Sequence, residues 1–402
     1  MNKKDVLELK RRLKKDSATF TKLHGCYVNA DKVKVTSFEE TFLNLDDDEL
    51  LKYLEIAKKI LSGNLGNNIL ELSVPIKEEQ DGGKQKSLMA LRQTRLKNAD
   101  MVDAFFDNII NNYDYVGNYL ILLFHDAYDI IKKTTDGDSL DESEEVYEYL
   151  LCAICPVELS KPGLGYLEDE NDIGPRIRDW VVGMPSNGFI FPAFSDRSTD
   201  IHAITYYTKN PKDTHPELME DGLGCPAVLS IAEKKEVFED IVGQVADIDE
   251  EEGRMILEDI QMEFNDLILE NEGAEDGNEN LVAITYDTLN TALEDAGLQD
   301  EQIKTIQEEF KKNFEDGELA AYQLVDQKMI ASAEKRRERL ELMEQITTLK
   351  QQLEPAEKNV KIYVPKDKEN KIIKETRDGI QYICIPVNVD DKTVINGREK
   401  NV

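Results

Sequence analysis

Tryptophan occurs once and histidine four times in 402 residues. His24, His125, His202 and His215 show neither the HExxH nor the HxxxH spacing that puts two imidazoles on one helix face, so the sequence gives no metal-hydrolase signature and no metal ligands. Long apolar runs are missing too. A run such as Tyr119 to Phe124 is far below the roughly 20 residues a membrane-spanning helix needs, so no membrane partner is expected. Cations are scarce: 49 Lys and Arg face 82 Asp and Glu, for a net charge of −33. Such a field repels nucleic-acid phosphates and anionic lipid, and leaves solubility or a basic partner as its uses. Five cysteines, an odd number spread over the whole chain, do not make a disulfide framework and suit a reducing cytoplasm. The charged opening MNKKDVLELKRRLKKD reads as a helix rather than an export signal, which also favours a cytoplasmic location. GxxxxGK[ST], GxGxxG and GxSxG are all missing, so phosphate cradling, dinucleotide binding and an esterase elbow have no support, and no cofactor is expected.

What is present is an α+β pattern. Asn2 and Asp5 can cap a first helix with Val6, Leu9 and Leu13 on one face. ELLKYLEIAKKIL, the stretch from Lys84 to Lys97 and that from Asp100 to Asn112 follow as helices. The runs NYLILLFHDAYD, YEYLLCAICPVEL, DWVVGM, GFIFPAFS and IHAITYYTK read as strands. No crossover helix separates the later ones, so the sheet is expected to be mostly antiparallel, with the N-terminal helices on one of its faces.

Four segments are expected. Residues 1–225 form the main α+β domain. Residues 226–317 form a helical module with an acidic loop near 271–280. Residues 318–355 form a long charged helix that Pro355 stops, and 356–402 a small β unit of three strands. In that unit Asp378-Gly379 and Asn396-Gly397 are hairpin signals. Leu342, Ile346, Leu349 and Leu353 make a short seam on the long helix, available for packing within the chain or for a homodimer through 340–353.

Chemistry-bearing motifs are sparse. Cys152 and Cys155 have redox or zinc spacing, but on a strand their thiols point to opposite faces. His125 and Asp126 are strand neighbours and point apart for the same reason. The carboxylate-rich DGDSLDESEE and ADIDEEEG lack the glycine and glutamate positions of a calcium loop. The most site-like stretch runs from Arg176 through Arg178, Asp179, Trp180, Asp196 and Arg197 to His202. Its guanidinium groups could recognise an anionic small molecule in bidentate fashion, or neutralise aspartates at strand ends. A basic patch on the first helix and on Lys84 to Lys97 offers solvated faces or a nucleic-acid contact. No catalytic set is assembled.

The phrases GCYVNADK, ICPVELSKPGLGY, RIRDWVVGMP, FPAFSDRSTDIHAITYYTKN and TVINGR are long and unusual. Through them the chain resembles, over nearly its whole length, an uncharacterised bacterial family known only as a domain of unknown function. That resemblance implies no activity, substrate or catalytic residue. The sequence therefore points to a non-catalytic cytosolic interaction or regulatory protein with a protein partner. The alternatives are an enzyme or binding protein for an anionic small molecule at Arg176–His202, and a nucleoid-associated protein.

Overall fold

The computed structural model describes residues 1–133, 139–169, 171–176, 178–246, 250–271, 282–357, 362–388, 393–395 and 398–400. The acidic loop near 271–280 falls almost entirely outside them, as do Asn396-Gly397 and parts of both carboxylate-rich segments. Met1–Ile330 and Ala331–Val402 form separate compact units.

In the first unit α1 (Lys3–Arg12) opens on a capping box. The Asn2 side chain accepts from the Lys4 and Asp5 amides, and Asp5 accepts from the Asn2 amide. There follow β1 (Lys22–Val28), β2 (Lys34–Thr41), α2 (Asp47–Ile60), β3 (Ile69–Ser73), α3 (Lys84–Gln93), α4 (Ala99–Asn111), β4 (Asn118–Lys133) and β5 (Ser139–Leu159). Next come β6 (Leu164–Leu167), β7 (Asp172–Pro175), β8 (Trp180–Val182), β9 (Asn187–Phe191), β10 (Ala193–Ser195), β11 (Ser198–Asp200) and β12 (Ala203–Thr208). The main sheet has the order β2-β1-β4-β5-β9-β12-β3 with β8 paired beside β9 on β5, and every pairing is antiparallel.

Helices cover both faces of this sheet, not one as expected. The strand sequences give the reason: β9 and β12 are buried at every position, so neither parity of side chain can face water. On one face Ile121, Leu123, Cys152 and Phe189 pack with Leu88 and Leu91 of α3 and Phe105 and Ile109 of α4. On the other, Leu122, Phe124, Leu151 and Cys155 pack with Leu9 of α1 and Leu54, Ala57 and Ile60 of α2. Each fully buried Leu, Ile or Phe contributes roughly 1.5–3 kcal/mol, so both layers are needed to hold the sheet. GFIFPAFS is two strands rather than one. Pro192 has no amide to give the ladder, and β10 leaves the main sheet to pair with β11.

A third core of the same unit is helical. In α5 (Ile231–Ala246), α6 (Glu250–Asn271), α7 (Tyr286–Asp295), α8 (Asp300–Asn313) and α9 (Ala321–Leu324), the side chains Phe238, Phe264, Leu289, Ile306 and Phe310 meet. The long helix expected from Glu318 starts later, as α10 (Gln327–Glu357), because Asp326 interrupts the chain and accepts the Lys328 amide at 2.8 Å.

In the second unit α10 runs two residues past Pro355, whose missing amide removes only one hydrogen bond of the last turn. Leu342, Ile346 and Leu349 of the seam are exposed on it. Then come α11 (Lys366–Glu369), β13 (Ile373–Arg377), β14 (Ile380–Cys384), β15 (Thr393–Ile395) and β16 (Arg398–Lys400). The strands form two separate hairpins rather than one three-stranded sheet. Asp378 and Gly379, at φ 52 and 79, make the tight turn between β13 and β14. Among the described residues no helix is long and apolar enough to cross a membrane.

Candidate functional site

The site-like residues expected between Arg176 and His202 are divided by the sheet. Arg176, Arg178, Asp179 and Trp180 lie beside the C-terminal end of β5, where Leu159 pairs with Trp180. Asp196 and Arg197 sit on the turn after β10, whose parent strand β9 reaches β5 at Leu150. At about 3.3 Å per residue the two places are on the order of 30 Å apart along β5. His202 is elsewhere again, 3.1 Å from Glu79. The seven side chains do not converge on one cleft.

Asp196 and Arg197, at φ 49 and 60, form a left-handed two-residue turn that α1 holds in place. Asn2 donates to Asp196 at 2.9 Å, the Asp196 amide donates to Asp5 at 3.2 Å, and Arg197 donates to Glu8 at 3.1 Å. Beneath this contact lies a buried polar network. Asp126 accepts from the Thr19 hydroxyl at 2.5 Å, from the Tyr149 hydroxyl at 2.7 Å and from the Ala127 amide at 2.9 Å. Tyr147, stacked on Tyr149, donates to the Pro192 carbonyl at 2.6 Å. Burial drives both phenols far above the ordinary tyrosine range, so they serve as fixed donors. His125, on the opposite face from Asp126, lies 3.0 Å from Glu148, which also takes Arg95 at 2.9 Å. Burial pulls the His125 imidazole below its usual value in spite of that carboxylate.

Cys152 and Cys155 face opposite sides of β5, one in each core. Burial lifts both thiols, Cys155 to about 12, which removes the thiolate that redox or zinc chemistry needs. No group of three His, Cys, Asp or Glu among the described residues is arranged to hold a metal ion.

Next to Arg176 and Trp180 lies an exposed apolar ribbon. Beyond the β5–β8 pair the chain continues into β6 and β7, with Ser160 donating to Asp179 and Arg176 to Gly163 through the backbone. The register pairs Leu164 with Pro175 and Tyr166 with Ile173, so these four share one face. Leu164, Tyr166 and Ile173 are 76%, 58% and 61% exposed, and Trp180 is 56% exposed. Arg178 is tied to the base of the ribbon, donating to the Ser160 carbonyl at 2.7 Å. Linear sequence pointed to arginines here; the ladder that turns four apolar residues outward had no signal beyond the alternation in LGYL.

Against curated proteins the chain finds no match. A family model matches residues 1–398, and the chain belongs to that family, Domain of unknown function (DUF4317).

Proposed function

We propose that this protein is a non-catalytic interaction protein of the bacterial cytoplasm that pairs with a second copy of itself through the β6–β7 ribbon. One observation carries the reading: the face bearing Leu164, Tyr166 and Ile173 is open to solvent. With Trp180, such side chains present on the order of 500 Å² of apolar surface, at the upper end of what monomers leave uncovered. A two-stranded ribbon is only marginally stable alone and gains from being covered.

Charge selects a second copy as the cover. Glu168, Asp169 and Asp172 cluster at the tip of the ribbon, and Lys161, Arg176 and Arg178 at its base. Two ribbons related by a two-fold axis and laid antiparallel bring each acidic tip against the partner's basic base, while the apolar faces meet between them. Sedimentation equilibrium tests this. A dimer is expected, and Tyr166→Asp with Ile173→Asp is expected to render it monomeric. A wild-type monomer at 100 micromolar overturns the reading.

A second reading rests on the exposed seam of α10. If the ribbon variants stay dimeric and Leu342→Asp with Ile346→Asp does not, the contact lies in 340–353 instead.

A further inference from the structure

Between α3 and α4 a cleft of about 370 Å³ opens at the surface of the first unit, on the side of the sheet away from α1. Its floor is apolar and comes from the core itself: Leu88, Leu91 and Phe105 are buried there. Its mouth is polar and built around Asn108. The Asn108 amide donates to the Gly222 carbonyl at 2.7 Å, and its carbonyl accepts from the Lys84 ammonium. Gly222 reaches this position because the chain makes a π-helical turn over Leu218–Gly222, packed against α4.

Lys84 is the informative residue. In a chain with 82 acidic side chains most cations at this surface have found one: Lys86 is paired with Asp81, Lys32 with Asp114, and Lys34 with Asp103 and Asp107. Lys84, half-buried at the mouth, has a neutral amide as its partner and no carboxylate within ion-pair distance among the described residues. Of the carboxylates just before it in sequence, Asp81, which also lines the cleft, is paired with Lys86, and Glu78 is turned to the Lys84 backbone amide, at 2.8 Å, so it caps α3 instead of neutralising the side chain. An ammonium held at the edge of an apolar cleft, with two donor protons left over, matches a ligand that has one anionic end and an apolar body.

We propose that this cleft binds a small monocarboxylate, its carboxylate on Lys84 and its hydrocarbon body over Leu88, Leu91 and Phe105. Size narrows the class. At about 30 Å³ for each water-sized volume the cleft holds roughly a dozen non-hydrogen atoms, a medium-chain fatty acid rather than a membrane lipid. The site lies at a lysine of the Lys84 to Lys97 stretch, apart from Arg176–His202, and is independent of the ribbon.

Isothermal titration with decanoate below its micellar concentration tests the proposal on the full chain. One-to-one saturable binding is expected, with decylamine and acetate failing to bind. Lys84→Met, checked for native circular dichroism, is expected to weaken decanoate about 10- to 100-fold, the value of one charge-assisted hydrogen bond. Ala104→Trp, which fills the cleft from α4, is expected to abolish it, and Trp180→Asp on the ribbon to leave it unchanged. No saturable binding up to millimolar decanoate overturns the site. Equal binding of decylamine, or full binding by Lys84→Met, overturns the assignment of an anion. Loss of binding in Trp180→Asp shows adsorption to the ribbon and overturns the location.

Discussion

Removing a single hydroxyl tests whether the Asp126 carboxylate ties the segment after α1 to the sheet. Asp126 is 1% exposed and accepts from Thr19, Tyr149 and its neighbour's amide. A hydrogen bond to a buried charge is worth roughly 1.5–3 kcal/mol, so Tyr149→Phe should cost about 2 kcal/mol. Tyr147 is the internal control. It is equally buried and stacks on Tyr149 at 4.8 Å, but its hydroxyl donates to a neutral carbonyl, so Tyr147→Phe should cost about 1 kcal/mol. Urea unfolding followed by far-UV circular dichroism gives both values. Combined with Thr19→Val, Tyr149→Phe should be non-additive by at least about 0.5 kcal/mol, because both donors serve one carboxylate. The reasoning fails if Tyr149→Phe costs no more than Tyr147→Phe, or if the pair is strictly additive.

Burial also holds the His125 and His24 imidazoles below 6.5, against the raising influence of Glu148 and Glu39. A depressed folded value means that the unfolded chain binds more protons, so this contribution is full above 6.5 and is lost as pH falls through the folded values. The urea midpoint should drop from pH 7 to pH 5, and His125→Gln should flatten part of that slope; an unchanged slope refutes the assignment. Gly188→Ala would place its methyl 2.4 Å from the Cys152 carbonyl and 2.5 Å from Ile60, and should cost about 1–3 kcal/mol. At Gly163, where a methyl meets nothing within 4 Å, the same change should stay within about 0.5 kcal/mol, and equal melting of the two variants refutes the packing. Cys26, Cys152, Cys155 and Cys225 are buried, so brief native alkylation should label Cys384 alone, as read by mass spectrometry.

Much of this architecture was legible. The Asn2–Asp5 cap, the helical periodicity over Leu50, Leu54 and Ala57, and the Asp378-Gly379 turn are local signals, and local physics settles them. β1 and β2 were not read as strands. β1 carries His24 and Gly25 within its short apolar span, and β2 is an edge strand, largely exposed, that shows charge rather than an apolar run. The double helical cover was implicit in NYLILLF, which is apolar at both parities, but the antiparallel reading suggested a wet face. The spread of the residues from Arg176 to His202 was hidden for a different reason. Neighbours in sequence from Arg176 to His202 are spread apart because β8 and β9 run one after the other along β5, from Leu159 to Leu150, and no periodicity records that. Lys84 was visible only as one cation in a basic stretch; its lack of a carboxylate partner among the described residues is a property of the folded surface.

The position of β12 between β9 and β3 has a consequence for synthesis. Ile69 cannot take its place until Tyr207 has been made. At roughly 5–20 residues per second that interval is on the order of ten seconds. During it Leu70 and Leu72 have no strand to join, and α3 and α4 leave the ribosome before most of the sheet they will cover. A nascent chain stopped before Ala203 therefore carries all the other strands of the main sheet but leaves β3 without a neighbour.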